Sequence, residues 1–295
     1  MHIMDTTLEK ADPHLFAVCQ AVYSNVDTNL HYIWENRLKD TLWTKDVYWI
    51  INHGKRIGGA IISEDWVRFP FLIPPFYDRQ LLWDAFYYLD KNNVLTMNKV
   101  LGALDCDVSV LQTQGYKVIM GRRMMCRPTE RLQFSLGQEY AFRIPDAEKD
   151  IDEIASVIES GYKGGIDYDV FGPSETGEAK KDVSYYFDAY QKTNTLYQSV
   201  AVTDVKANKI IGVCIAGRHP EENPEIYSFI SDLAVLPDYR RKGIAEFMLN
   251  YAISNAKQTS QLIGLCVTVG NYAENLYKHC GFFGGPIFNN MEKRL

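Results

Sequence analysis

The sequence predicts an α/β protein made of two tandem units, and three observations carry that prediction. Its 295 residues are about twice the ~150 typical of one domain. A strand, strand, strand, helix order occurs twice along the chain. In the second half a buried strand stops at a proline and leads through a basic loop to a glycine where a helix begins.

In the first half Val47, Trp49 and Ile51 alternate with Tyr48 and Ile50. A turn follows at Asn52, His53, Gly54 and Lys55, and a β-branched run resumes over 56–63, the pattern of a hairpin. A third strand over 66–73 ends at Pro74 and Pro75. Asp78 is placed to cap a helix whose apolar residues Leu81, Leu82, Ala85, Phe86 and Leu89 recur at helical spacing. A strand near 100–104, a short helix from Asp107, a turn at Gly115 and Tyr116 and a strand over 119–125 complete this half. The polar run from Arg127 to Arg131, with Gly137 just beyond, interrupts two strand-like segments. It sets a boundary near residue 135, giving domains 1–135 and 136–295.

The second half repeats the order. A strand over 140–144 precedes a helix over 147–160 with Ile151, Ile154, Ala155 and Ile158 on one face, and a further helix covers 178–191. A hairpin pair over 197–203 and 210–216, a longer strand over 226–236, a helix from Gly243 or Ile244 to Lys257, a strand over 262–269 and a helix over 272–279 follow. The half closes on a turn at Gly281 and Phe282. Two halves with one architecture imply an internal duplication with a period of roughly 140 residues.

Composition narrows the function classes. Asp5, Glu9, Lys10 and Asp12 break the stretch a signal peptide would need, and no later run approaches 18 apolar residues, so the expectation is a soluble, cytoplasmic chain without membrane contact. The six cysteines, at 19, 106, 126, 214, 266 and 280, contain no CxxC pair, which suits reduced thiols rather than a disulfide framework or a metal site. Residues 1–138 balance 15 Lys and Arg against 15 Asp and Glu, whereas residues 139–295 carry 16 against 22. The net −6 therefore lies in the second half, which argues against nucleic acid as a partner. An acidic working half tolerates a cationic substrate, although solvated surface carboxylates are the simpler explanation of the excess.

The segment that carries chemistry runs from Ser231 to Ala245. The first turn of a helix offers unpaired N–H groups and the positive end of its dipole, which together form an anion site. Gly243 lacks a Cβ, so a diphosphate can approach the backbone, and small Ala245 allows the same one step later. Arg240, Arg241 and Lys242 add positive charge beside Ile244 at the helix start. A basic loop next to a glycine is also found at ordinary solvated helix starts. No Walker loop, GxGxxG or GxSxG pattern competes.

Arg240, Gly243 and Ala245 resemble the R/Q-x-x-G-x-G/A signature of the Gcn5-related N-acetyltransferases, the GNAT family. Asn271, Ala273, Leu276, Tyr277, Gly281 and Phe282 resemble that family's second block, in which an Asn opens a helix and a Leu-Tyr pair precedes a Gly-Phe turn. The resemblance implies two GNAT-like domains, each a mixed, mostly antiparallel sheet flanked by helices. It implies acetyl-CoA as cosubstrate, no metal, and transfer of an acetyl group to an amine of a small molecule or peptide within a ternary complex.

It further implies a bulged strand over 226–236 that splays from the strand over 262–269 to admit pantetheine. Amides of Leu233, Ala234 and Val235 would then bind the cosubstrate and polarise its carbonyl. Asp232 and Glu225 are the carboxylates nearest that cleft in sequence. Asp232 is the candidate base, and capping a turn away from the substrate would suit it equally. Tyr277 is the candidate acid, since its free pKa of about 10 lies only ~1.5 units above that of a thiol. A core tyrosine would fit the same position. The alternative of another class is a non-catalytic protein that binds or senses acyl-CoA.

Aligned by its strand-proline element, the first half sets Pro74 and Pro75 against the basic loop, with no glycine to follow and Leu111 where the second half has Tyr277. Prolines remove donors that a phosphate needs. The first half is thus expected to be a degenerate repeat.

Overall fold

A computed structural model of the chain describes residues 5–24, 34–39, 41–171, 178–220 and 227–293. The chain forms two compact units, residues 1–123 with 286–295, and residues 124–285.

The first unit runs through β1 (Thr6–Lys10), α1 (Pro13–Tyr23), α2 (Trp34–Arg37), β2 (Val47–Asn52), β3 (Lys55–Ser63), β4 (Trp66–Leu72), α3 (Arg79–Lys91), β5 (Lys99–Leu104), α4 (Asp105–Thr113) and the start of β6 (Tyr116–Pro128). The second takes the end of β6 and continues through β7 (Tyr140–Arg143), α5 (Ile151–Tyr162), α6 (Ile166–Phe171), α7 (Glu178–Lys192), β8 (Val200–Asp204), β9 (Lys209–Gly217), β10 (Tyr227–Val235), α8 (Ile244–Ala256), β11 (Leu262–Thr268) and α9 (Ala273–His279). The last strand, β12 (Phe283–Lys293), begins in the second unit and returns to the first.

Strand order is β1-β2-β3-β4-β5-β12 in the first unit and β7-β8-β9-β10-β11-β6 in the second. Neighbours β1/β2, β2/β3, β3/β4 and β5/β12 pair antiparallel in one, and β7/β8, β8/β9 and β9/β10 in the other. The pairs β4/β5 and β10/β11 are parallel. The expected mixed, mostly antiparallel sheet flanked by helices is therefore present twice.

Each sheet is packed by helices at an apolar stripe. In α3, Leu82, Trp83, Ala85, Phe86 and Leu89 are buried, and all but Trp83 are among the residues read as its apolar face. In α8, Ile244, Phe247, Met248, Leu249, Ala252, Ile253 and Ala256 are buried. At roughly 1.5–3 kcal/mol per fully buried large apolar side chain, that face is what fixes α8 on its sheet.

The structure differs from the sequence reading in several places. The stretch read only against a signal peptide forms β1 and α1, with Asp12 accepting the Leu15 N–H at 2.9 Å and Pro13 at the helix start. The helix expected from Ala147 starts at Ile151, because Asp146 accepts the amides of Glu148 and Lys149 and Asp150 accepts that of Asp146, holding 146–149 as a turn. A short helix, α6, lies in a segment left unassigned. The tail beyond Phe282 is β12, which places Met291 in the first unit's core and pairs with β5.

Candidate active site

The loop between β10 and α8 sets the helix start in the open. Arg241 and Gly243 both have positive φ, 63° and 77°. A Cβ on Gly243 would meet nothing within 4 Å, so glycine is required there by backbone conformation and leaves free space beside the helix end. No side chain caps α8, and the Gly243 carbonyl accepts only the Phe247 amide, at 2.9 Å. The amides before Phe247 are therefore unpaired within the helix. Arg241 and Lys242 are exposed beside them, with Lys242 4.9 Å from the centre of the Tyr239 ring.

Arg240 is placed otherwise. Its guanidinium donates to the Gly161 carbonyl at 2.6 Å and, through Nε, to that of Val235 at 3.3 Å. It ties the end of α5 to the end of β10. Gly161 permits this approach, since a Cβ there would lie 3.0 Å from the Ala234 methyl.

β10 carries the expected irregularity. Its register against β9 slips between Ile230 and Asp232, so Ser231 is the bulged residue. Against β11 it pairs only over Tyr227–Phe229 with Leu262–Gly264, and both strands then run on unpaired with each other. Leu236 N–H bonds the Ile211 carbonyl of β9. By antiparallel alternation Ala234 also faces β9, and Leu233 and Val235 turn their backbone groups toward the splay.

Asp232 stands at this bulge. Its carboxylate accepts the Tyr162 hydroxyl at 2.9 Å. Burial pushes its pKa up to about 7, the Tyr162 hydrogen bond pulls it down, and the neighbouring charge of Asp182 adds to the rise. Tyr162 is raised well above the ordinary tyrosine value, first by burial and then by the Asp232 charge, while the Leu233 amide bonds its oxygen. Tyr162, the hydrogen-bond partner of the candidate Asp232, is absent from the sequence reading. Its only sequence signal is a tyrosine at the end of a helix, among 19 in the chain.

Tyr277, on α9, is 9% exposed, with its ring edge-on to Phe282 at 6.2 Å. Burial raises its pKa, and Cys214, Asp167 and Asp232 raise it further. α9 is set by Asn271, whose side chain accepts the Ala273 amide at 2.8 Å and donates to Asp167 at 2.8 Å. Thr268 also donates to Asp167. Glu225, the other carboxylate considered, lies outside the described residues.

Cys19, Cys106, Cys126, Cys214 and Cys280 form no disulfide. Burial raises Cys214 far above, and Cys280 to about 11, so both are thiols rather than nucleophilic thiolates at neutral pH. Among the described residues no group of three or more His, Cys, Asp or Glu converges, and no helix is long and apolar enough to cross a membrane.

The first unit has the same frame with its openings closed. Asp78 caps α3 by accepting the Gln80 amide at 2.9 Å, setting a carboxylate where an anion would bind. Arg79 is held by both oxygens of buried Asp107, at 2.7 and 2.6 Å. β4 and β5 also stop pairing after three residues, but the next residue, Phe69, covers Gly102, whose Cβ would fall 2.3 Å from its ring. Phe69 stacks on Trp43 at 5.4 Å, and Leu111 is fully buried.

The second unit thus sets a bulged strand, splayed from its parallel neighbour, beside an uncapped, basic helix start. Residues 168–282 match the model of the acetyltransferase (GNAT) family. The matched residues lie within the second unit, 124–285.

Solved structures agree on the fold. A GCN5-related N-acetyltransferase from Sphaerobacter thermophilus is similar with a TM-score of 0.67 and 12% identity, over 98% of this chain and 95% of that one. A GNAT-family acetyltransferase from Colwellia psychrerythraea gives 0.57 and 12%, over 98% and 100%. A tandem GNAT protein from the clavulanic acid biosynthesis pathway gives 0.55 and 7%, over 98% of both chains. No curated protein matches the sequence significantly.

Proposed function

We propose that the second unit transfers an acetyl group from acetyl-CoA to an amine of a small molecule or peptide. The observation that carries this reading is Asp232, a carboxyl group at the β10 bulge with a pKa pushed up to about 7, next to the splay. An ammonium of pKa about 10 must lose a proton before it can attack, and a base poised near neutrality suits that step.

Acetyl-CoA, when bound, supplies the thioester whose C–S bond breaks as the C–N bond forms. The residues fit such a group. The unpaired first-turn amides of Ile244 and Ala245, the open space at Gly243, and exposed Arg241 and Lys242 suit its diphosphate. Arg240 would act by holding the loop rather than by gripping phosphate. With the Leu233 amide bonded to Tyr162 and the Val235 carbonyl to Arg240, the Leu233 carbonyl and the Val235 amide are the outward groups that suit the pantetheine arm and the acyl oxygen, and Ala234 contributes its small side chain. Asn271 and Ala273 form the start of α9 and so place Tyr277.

Asp232 takes the proton released by the amine. Tyr277, kept protonated by burial, holds a proton for the leaving sulfur. The test is release of CoA thiol from acetyl-CoA across a panel of amines. Turnover with at least one amine, lost in Asp232→Asn, supports the reading. Tight acetyl-CoA binding with no turnover against any amine would instead favour a binding or sensing protein.

A further inference from the structure

We propose that Tyr162 is a positioning residue, which fixes the Asp232 carboxylate on the bulged strand by donating its hydroxyl proton to it while accepting the Leu233 amide. The proposal rests on Asp232 being the base.

The geometry supports a built contact. Tyr162 is the last residue of α5, and its neighbour Gly161 receives the Arg240 guanidinium at 2.6 Å. The missing Cβ of Gly161 brings this helix end to within van der Waals distance of Ala234 on β10. The end of α5 thus holds the cosubstrate loop through Gly161 and the base through Tyr162, whose hydroxyl is 2.9 Å from Asp232 Oδ1. A bulge rotates the residues beside it, so a side chain following Ser231 needs an external partner to stay aimed.

The other titratable groups facing Asp232 among the described residues are Asp182 on α7, Cys214 on β9 and Tyr277 on α9. None of them is a cation. The Tyr162 hydroxyl is the group that favours the carboxylate form, and it does so by hydrogen bonding to the charged state.

The experiment is carboxyl-carbon NMR titration of the full chain labelled with 13C-aspartate, with the Asp232 signal assigned by its loss in Asp232→Asn. The wild type should titrate near pH 7. Tyr162→Phe should move the midpoint up by about one pH unit, the size expected for one hydrogen bond to a charged group. Fluorotyrosine at 162 keeps the ring and hydroxyl but donates more strongly, so it should move the midpoint down and guards against a misfolded Phe variant. With any amine that turns over, the acid limb of kcat/KM should shift in the same directions.

An Asp232 midpoint unmoved in both variants overturns the proposal. A midpoint that moves as expected in a chain without transfer activity leaves the Tyr162 contact standing and sinks acetyl transfer instead. An acid limb that persists in Asp232→Asn removes Asp232 as base, and the positioning role with it.

Discussion

A carboxyl with its pKa raised to about 7 leaves a signature in both stability and rate. The folded chain holds the Asp232 proton more tightly than the unfolded chain, so this group's stabilisation is complete below about pH 4 and is lost as pH rises toward 7. The loss approaches ~1.4 kcal/mol per pH unit in that window. Asp232→Asn should therefore raise Tm relative to wild type above pH 7 and not at pH 4, as scanning calorimetry at the two pH values would show. Its rate effect is opposite: kcat/KM should fall on the order of 10²-fold or more, and the acid limb near pH 7 should vanish. Tyr277→Phe should lower kcat on the order of 10²-fold with little change in acetyl-CoA affinity, measured by steady-state kinetics beside titration calorimetry. Equal losses in both would mark Tyr277 as a packing residue against Phe282.

At the scale of the element, the loop into α8 separates two demands that the sequence presents as one basic run. Arg240 turns inward to the Gly161 and Val235 carbonyls, while Arg241 and Lys242 stay outside. Arg240→Ala should then cost ~1–3 kcal/mol of stability by leaving partly buried carbonyls unpaired, visible in urea unfolding. Gly243→Ala meets open space but must hold φ 77°, a cost of ~1–2 kcal/mol. Gly243→Glu adds a negative charge at the proposed anion site, so acetyl-CoA should bind more weakly to it than to the Ala variant in calorimetry. Equal affinities would remove the diphosphate from this loop.

At the scale of the whole molecule, the last strand belongs to the unit that opens the chain. Met291 is 1% exposed in the first unit's core, Asn289 donates to Asp105 at 2.8 Å and Lys293 to Asp90 at 2.8 Å. Removing residues 286–295 should accordingly destabilise the first unit more than the second, read by hydrogen exchange of β4 and β5 against β9 and β10. Faster exchange confined to β9 and β10 would contradict this division of the chain.

Most strands and helices were legible because each pattern is local. Period-two runs at 47–51 and 56–63, helical spacing in α3 and α8, and Pro237 with Gly243 report on neighbours within a turn or a hairpin. The uncapped helix start at Gly243 is local in the same way. β12 escaped notice because its Gly284, Gly285, Pro286 and Asn289 read as loop residues, and only pairing with a strand some 180 residues earlier makes them a strand. Tyr162 was missed for a related reason. A hydroxyl 70 positions from Asp232 has no signature until α5 is packed on β10, and the same packing, by burial, turns an ordinary aspartate into a group titrating near neutrality. The sequence by itself determined the double α/β frame and the open helix start, while the tertiary structure decided which carboxylate meets the Tyr162 hydroxyl, which arginine bonds the Gly161 and Val235 carbonyls and which unit owns the final strand.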